Sequence, residues 1–110
     1  MFTTNLKKKQ TYETGATRDN AKGKGRYDLI PTTALKRVAL VYERGAEKHG
    51  GNNWKKGIPY SRLVSSALRH ISQFQEGLTD EDHIGHAIWN LMAIIHFEEK
   101  NLKNLNDLNV

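Results

Sequence analysis

The 110-residue chain contains no cysteine, which excludes a disulfide framework and any thiolate metal site. It also lacks an apolar run near the ~18 residues that a transmembrane helix requires. No apolar segment follows the charges of the leading stretch from Met1 to Lys9, so no secretory signal is expected. Apolar residues make up only 37% of the chain, which suits a single domain with a modest core, enlarged by self-association. Nothing repeats, no low-complexity linker divides the chain, and no stretch alternates with period two. The expectation is a soluble, cytoplasmic, all-α protein without a membrane partner.

Positive charge is abundant, but only at one end. The net charge is +5, and residues 1–26 hold seven basic residues against Glu13 and Asp19, so residues 27–110 are formally neutral. Residues 1–13 read as a flexible basic arm. From Thr14 to Asp28 a phosphate-binding loop is a second reading. There Gly15, Gly23 and Gly25 free the backbone to wrap an anion, while Arg18, Lys22, Lys24 and Arg26 supply charge. A nucleic-acid-binding arm is disfavoured, because no aromatic alternates with the charges to offer stacking.

Three helices account for the rest. The first opens at Pro31 and runs to about Lys48, where Gly50-Gly51 ends it, with Leu35, Val38 and Tyr42 on its apolar face beside Ala34 and Val41. The second covers roughly Tyr60 to Glu76. It places Leu63, Ala67, His70 and Phe74 on one face, with Val64, Leu68 and Ile71 adjoining, so His70 is expected on the inner side. The third starts near Thr79 or Asp80 and continues to about Asn101, with residues 103–110 fraying. The domain proper is then residues 14–102, a small three-to-four-helix bundle behind an extended basic N-terminal segment.

The third helix carries the most informative pattern. Asp82, His86 and Asn90 recur every four residues with His83 beside them, and the same stripe continues into Ala93 and Phe97. A face that begins polar and ends apolar suits a helix that lines a polar cavity at one end and enters a core at the other. The polar groups are credible ligands for a divalent ion, for a nucleobase edge, or for one another. Glu43 and Glu47, one turn apart on the first helix, either chelate a magnesium-type ion or pair with Lys36, Arg44 and Lys48 at the surface. If the first and third helices pack together, Glu43, Glu47, Asp82 and His86 face a common pocket. In the loop between the first two helices, Asn53, Trp54 and Lys55 suit stacking on a base near phosphate, or Trp54 plugs the bundle end. Arg62 and Arg69, a heptad apart, add two further phosphate forks.

Several of these segments carry a family resemblance. Thr14-Gly-Ala-Thr-Arg-Asp19, Gly23-Lys-Gly-Arg-Tyr-Asp-Leu-Ile-Pro31, Ala46-Glu-Lys-His-Gly50, Asn53-Trp54, Ala67-Leu-Arg-His70 and His83-Ile-Gly-His86-Ala-Ile-Trp-Asn90 resemble the dATP/dGTP diphosphohydrolase N-terminal family. That family is common in bacteriophages and is related to the all-α MazG-type nucleotide pyrophosphohydrolases. The resemblance implies a MazG-like helical module that forms a homo-oligomer, works in the host cytoplasm if phage-encoded, and uses Mg2+ or Mn2+ to release pyrophosphate from a purine nucleoside triphosphate. Glu43 and Glu47 match the first acidic pair of the MazG pattern. Where the second pair is expected this chain has Asp82, His83 and His86, so histidines stand in place of carboxylates.

Two functions follow as expectations. In the first, an enzyme, Glu43, Glu47, Asp82 and His86 hold the metal and perform catalysis. The nucleotide is then bound by Arg18, Lys22, Lys24, Arg26, Tyr27, Asn53, Trp54, Lys55, Arg62, Arg69, His70, His83 and Asn90. In the second, the pocket captures an intact cyclic or modified nucleotide of host defence signalling without cutting it.

Overall fold

The computed structural model describes residues 9–109, apart from the Lys103 side chain, and divides the chain into two compact units, Met1–Pro31 and Thr32–Val110. Lys7 and Lys8 of the expected basic arm lie outside the described residues.

The first unit contains a feature that period-two reading missed. Strands β1 (Lys9–Thr11) and β2 (Thr17–Asp19) pair antiparallel, with Gln10 opposite Arg18. Each strand has three residues and every one is exposed, so no apolar alternation exists to announce them. Gly15, at φ +88°, closes the turn by donating to the Tyr12 carbonyl. Beyond the hairpin, a single 3-10 turn spans Tyr27–Leu29, and Arg26 is clamped to Asp28 by two hydrogen bonds of 2.8 and 2.7 Å.

The second unit is helical: α1 (Thr32–His49), α2 (Tyr60–Gln75) and α3 (His83–Glu99). α3 is the central element, packed along α2 and also contacted by α1. Its pairing with α2 is antiparallel: Leu63 meets Ala93 and Phe97 in the core, Ser66 accepts from Asn90, and His70 meets His83. The core therefore sits at one end, around Tyr60, Leu63, Ala93 and Phe97, with Trp54, Ile58 and Trp89 against it. The polar end lies beside the α2–α3 loop. This is the division that the stripe from Asp82 to Phe97 implied: Ala93 and Phe97 are fully buried. No helix among the described residues is long and apolar enough to cross a membrane.

Several boundaries differ from expectation for identifiable reasons. α3 begins at His83, later than Thr79 or Asp80, because it is Asp82 that caps it, accepting from the Gly85 N–H at 2.9 Å. α2 ends in a Schellman motif, with Gly77 at φ +84° donating to Phe74 and Leu78 donating to Gln73. The expected apolar faces are too wide: Leu35, Leu68 and Phe74 are exposed, because within the second unit no described residue covers that side of α1 or α2. Conversely, residues expected to fray form a turn, Lys103–Leu105, whose Leu105 packs on the core. Asp107 then accepts from the Ser61 backbone N–H at 2.8 Å and its hydroxyl at 2.5 Å, serving the first turn of α2, where Pro59 offers no side-chain cap.

Candidate functional site

The site belongs to the second unit and is built by the C-terminal halves of α1 and α2, the loops that follow them, and the first half of α3. Tyr42 from α1, Trp54 from the loop and Trp89 from α3 form a triangle with ring centroids 5.9 to 6.2 Å apart. Beside them is a cavity of about 260 Å³, walled by Gly45, Ala46, Gly50 and Gly51 and edged by Asn53. Small residues there let a planar ring approach the backbone of α1, and the aromatic walls suit stacking. Trp54 packs on the core and also lines the cavity. Lys55 Nζ lies 5.8 Å from its ring centre.

A second cavity of about 470 Å³ continues from the first, sharing Gly45, His49 and Trp89. Its lining is charged: Arg44, Lys48 and His49 on the α1 side, with Asp80, Glu81 and His86 across from them. The basic residues recur at helical spacing on the same side as Val41, which touches α3. Glu43 and Glu47 lie about 200° round the helix from Val41 and Gly45 respectively. Both are exposed and line neither cavity, so they are not brought together with His86 and Asp82.

Asp82 is committed elsewhere as well. Arg37 donates to both of its oxygens, at 3.1 Å from Nε and through Nη2, and the Gly85 N–H donates to Oδ1 as well. The guanidinium holds the Asp82 carboxyl down to about 2, against an opposing effect of burial. Asn90 is buried and its amide donates to the His86 carbonyl at 2.8 Å and to Ser66 at 3.2 Å, a clip between α3 and α2.

Histidines dominate the deep end. His70 and His83 are buried at 5% and 3% exposure, with their Nδ1 atoms 3.0 Å apart. His83 Nε2 donates to Asp80 Oδ1 at 2.8 Å, since a carboxylate only accepts. The 3.0 Å contact places one shared proton between His83 Nδ1 and His70 Nδ1. Burial, followed by the neighbouring His86, lowers the His70 pKa, which keeps that ring neutral. His86 stacks on His70 at 4.9 Å, and its Nδ1–H donates to the Asp82 carbonyl at 2.8 Å, which leaves Nε2 without a hydrogen-bond partner among the described residues. Glu81 Oε1 stands 3.8 Å from His70 Nδ1 and 3.7 Å from His86 Nδ1. Ligand atoms of His70, Glu81 and His83 all lie within 4.8 Å of one another, a group able to hold a metal ion. One turn beyond His70, the buried side-chain oxygen of Gln73 has no hydrogen-bond partner among the described residues.

The other residues named from sequence are scattered. Arg62 and Arg69 are exposed on α2, and Arg69 reaches only Ser66, at 3.4 Å. Arg18, Lys22, Lys24, Arg26 and Tyr27 are exposed within the first unit, with Arg26 held by Asp28. Sequence reasoning passed over Tyr42, Arg44, Lys48, His49, Asp80 and Glu81 as site residues. The α1 members were legible as one helical face with Val41. Asp80 and Glu81 were hidden by being assigned to a regular first turn of α3.

Comparison with known proteins gives one family. The sequence profile described as dATP/dGTP diphosphohydrolase, N-terminal, matches residues 14–107. No curated protein and no solved structure matches the chain significantly.

Proposed function

The chain belongs to the dATP/dGTP diphosphohydrolase N-terminal family, a phage-type, MazG-related group, and from that premise we propose that it hydrolyses dATP or dGTP to the monophosphate and pyrophosphate. Family membership and the His70/Glu81/His83 cluster together support a metal-using nucleotide hydrolase in general terms. The observation that carries the finer reading is continuity. An aromatic cavity of base size shares Gly45, His49 and Trp89 with one that Arg44 and Lys48 line on one side and Asp80 and Glu81 on the other, and Glu81 belongs to the histidine and carboxylate cluster.

In this reading the purine stacks among Tyr42, Trp54 and Trp89, and the Asn53 amide meets its polar edge. Arg44, Lys48 and His49 neutralise the phosphate chain. The donor set of two imidazoles and a carboxylate fits a divalent ion that accepts nitrogen ligands, held by His70, Glu81 and His83. Such an ion, when bound, polarises a phosphoryl oxygen and acidifies water. His86 Nε2 takes the proton from the attacking water, with its ring fixed by the bond to the Asp82 carbonyl. Exposed Leu68 and Ile71 on α2, and Leu91 and Ile95 on α3, recur at spacings of three and four and suit burial against a second copy.

Chromatography of a nucleotide panel after incubation with the protein and Mg2+, Mn2+, Co2+ or Zn2+ tests the reaction. Conversion of a purine deoxynucleoside triphosphate to the monophosphate is expected; an unchanged panel with every ion refutes hydrolysis. A second reading, sequestration, is favoured by one observation: Glu43, Glu47 and Asp82 contribute no carboxylate to the cluster. Its signature is an intact cyclic or modified nucleotide, depleted from solution without metal and recovered on heating.

A further inference from the structure

Deepening the reading of this cleft as a metal-using nucleotide site, we propose that its ion is a borderline transition metal, with Zn2+ the best fit, bound by His70, Glu81 and His83 and positioned by Asp80. Mg2+ demands near-octahedral oxygen coordination and keeps several waters. Here two of the three donors are imidazole nitrogens, and both rings are buried. Imidazole suits zinc and its neighbours, and two histidines with a glutamate form a recurring catalytic zinc set that leaves a position open.

The spacing is near what that chemistry needs. Two nitrogens each about 2.1 Å from one tetrahedral ion lie about 3.4 Å apart. His70 Nδ1 and His83 Nδ1 are separated by 3.0 Å, so the rings need part by only about 0.4 Å to admit one. An ion between them displaces the proton they share. Glu81, whose side chain is 43% exposed, has the freedom to close the third bond from its present 3.8 Å.

A separate observation points the same way. Asp80 accepts from the far nitrogen of His83 at 2.8 Å, so that Nδ1 carries the lone pair. Metal-bound histidines almost always donate their other N–H in this manner, and a carboxylate there raises ligand basicity. Asp80 is 69% exposed. Its bond to His83 thus does little for the core, and orienting the ring is the role left for it.

The test uses the full chain stripped of metal by chelator, without nucleotide. Zn2+ affinity is read by competition with a chromophoric chelator, Co2+ by its visible absorption, and Mg2+ by calorimetry. One Zn2+ per chain is expected, bound far more tightly than Mg2+, with Co2+ giving the absorption of a low-coordinate nitrogen–oxygen site. Asp80→Asn should weaken Zn2+ about 10- to 100-fold and alter the Co2+ spectrum while leaving the metal-free melting temperature unchanged. Glu81→Gln should weaken Zn2+ as well. Both residues are exposed, so both variants are expected to fold. Mg2+ binding as tightly as Zn2+, or Zn2+ affinity indifferent to both substitutions, overturns the assignment. Zn2+ binding without turnover of any nucleotide would sink the hydrolase reading and leave this one standing; turnover with Mg2+ in a chain that binds neither Zn2+ nor Co2+ would do the reverse.

Discussion

Replacing Asp82 separates two structural roles, because the carboxylate does two jobs with different sensitivities. It caps α3 through Gly85 and it pairs with Arg37. Loss of an N-cap costs about 1 kcal/mol. The lowering to about 2, due first to Arg37 and in part to the Gly85 N–H, against burial, amounts at 1.36 kcal/mol per pH unit to about 2 kcal/mol, most of it from the pairing. Arg37 is 60% exposed, so screening reduces that to about 1–2 kcal/mol. Asp82→Ala should therefore cost about 2–3 kcal/mol at pH 7, whereas Asp82→Asn keeps a capping oxygen and should cost about 1–2 kcal/mol. The sign with pH follows from the lowered value. The contribution is complete above the unfolded aspartate's pKa near 3.9 and disappears as pH falls through about 2. Urea unfolding followed by tryptophan fluorescence, between pH 7 and pH 2, measures this directly. The gap between wild type and Asp82→Asn should close over the acid range, and Arg37→Met should show the same gap with no further loss in the double variant. A gap that stays constant with pH, or two single losses that simply add, would refute the pairing argument.

Gly85 lies where α1 crosses α3, and a Cβ there would stand 2.5 Å from Asp82 Oδ2 and 3.0 Å from Val41 Cγ2. Gly85→Ala should lower stability by about 1–3 kcal/mol in thermal melts despite alanine's better helix propensity; a stabilised variant would contradict the packing. Lys48→Ala and His49→Ala should each weaken triphosphate binding about tenfold, read by Trp54 and Trp89 fluorescence, with binding of the bare nucleoside unaffected; equal losses for both ligands would remove the phosphate role. Leu68→Lys with Ile95→Lys should yield a monomer in sedimentation experiments where the wild type is an oligomer. A monomeric wild type would end the proposal that a second copy covers that face.

What was legible in the sequence followed the helical period. Val38, Val41, Leu63, Ala67, His70, Ala93 and Phe97 were assigned inward from spacing alone, and they are buried. The period carries no information about which side of a helix lacks a neighbour, so Leu68 and Phe74 were placed inside with equal reason and are exposed. Asp82 shows the other limit. Its partner Arg37 is 45 residues away, and nothing local distinguishes a carboxylate free to hold a metal from one held by a distant guanidinium. The one-turn spacing of Glu43 and Glu47 suits chelation and surface pairing alike, because it fixes their mutual distance and not the direction they face. The histidines were legible as a group, but Glu81 lies in a bend, where no periodicity applies, and so escaped notice.

The contact between Asp107 and Ser61 spans 46 residues of chain and joins two events that are usually independent. A helix capped by its own flanking residue can begin to form alone, whereas α2 receives its terminal acceptor only after the chain has returned past α3. Its first turn and the docked segment around Leu105 should therefore open together, as one cooperative unit. Amide exchange in the opening turn of α2 would then report, residue for residue, on how often the C-terminal segment leaves its place.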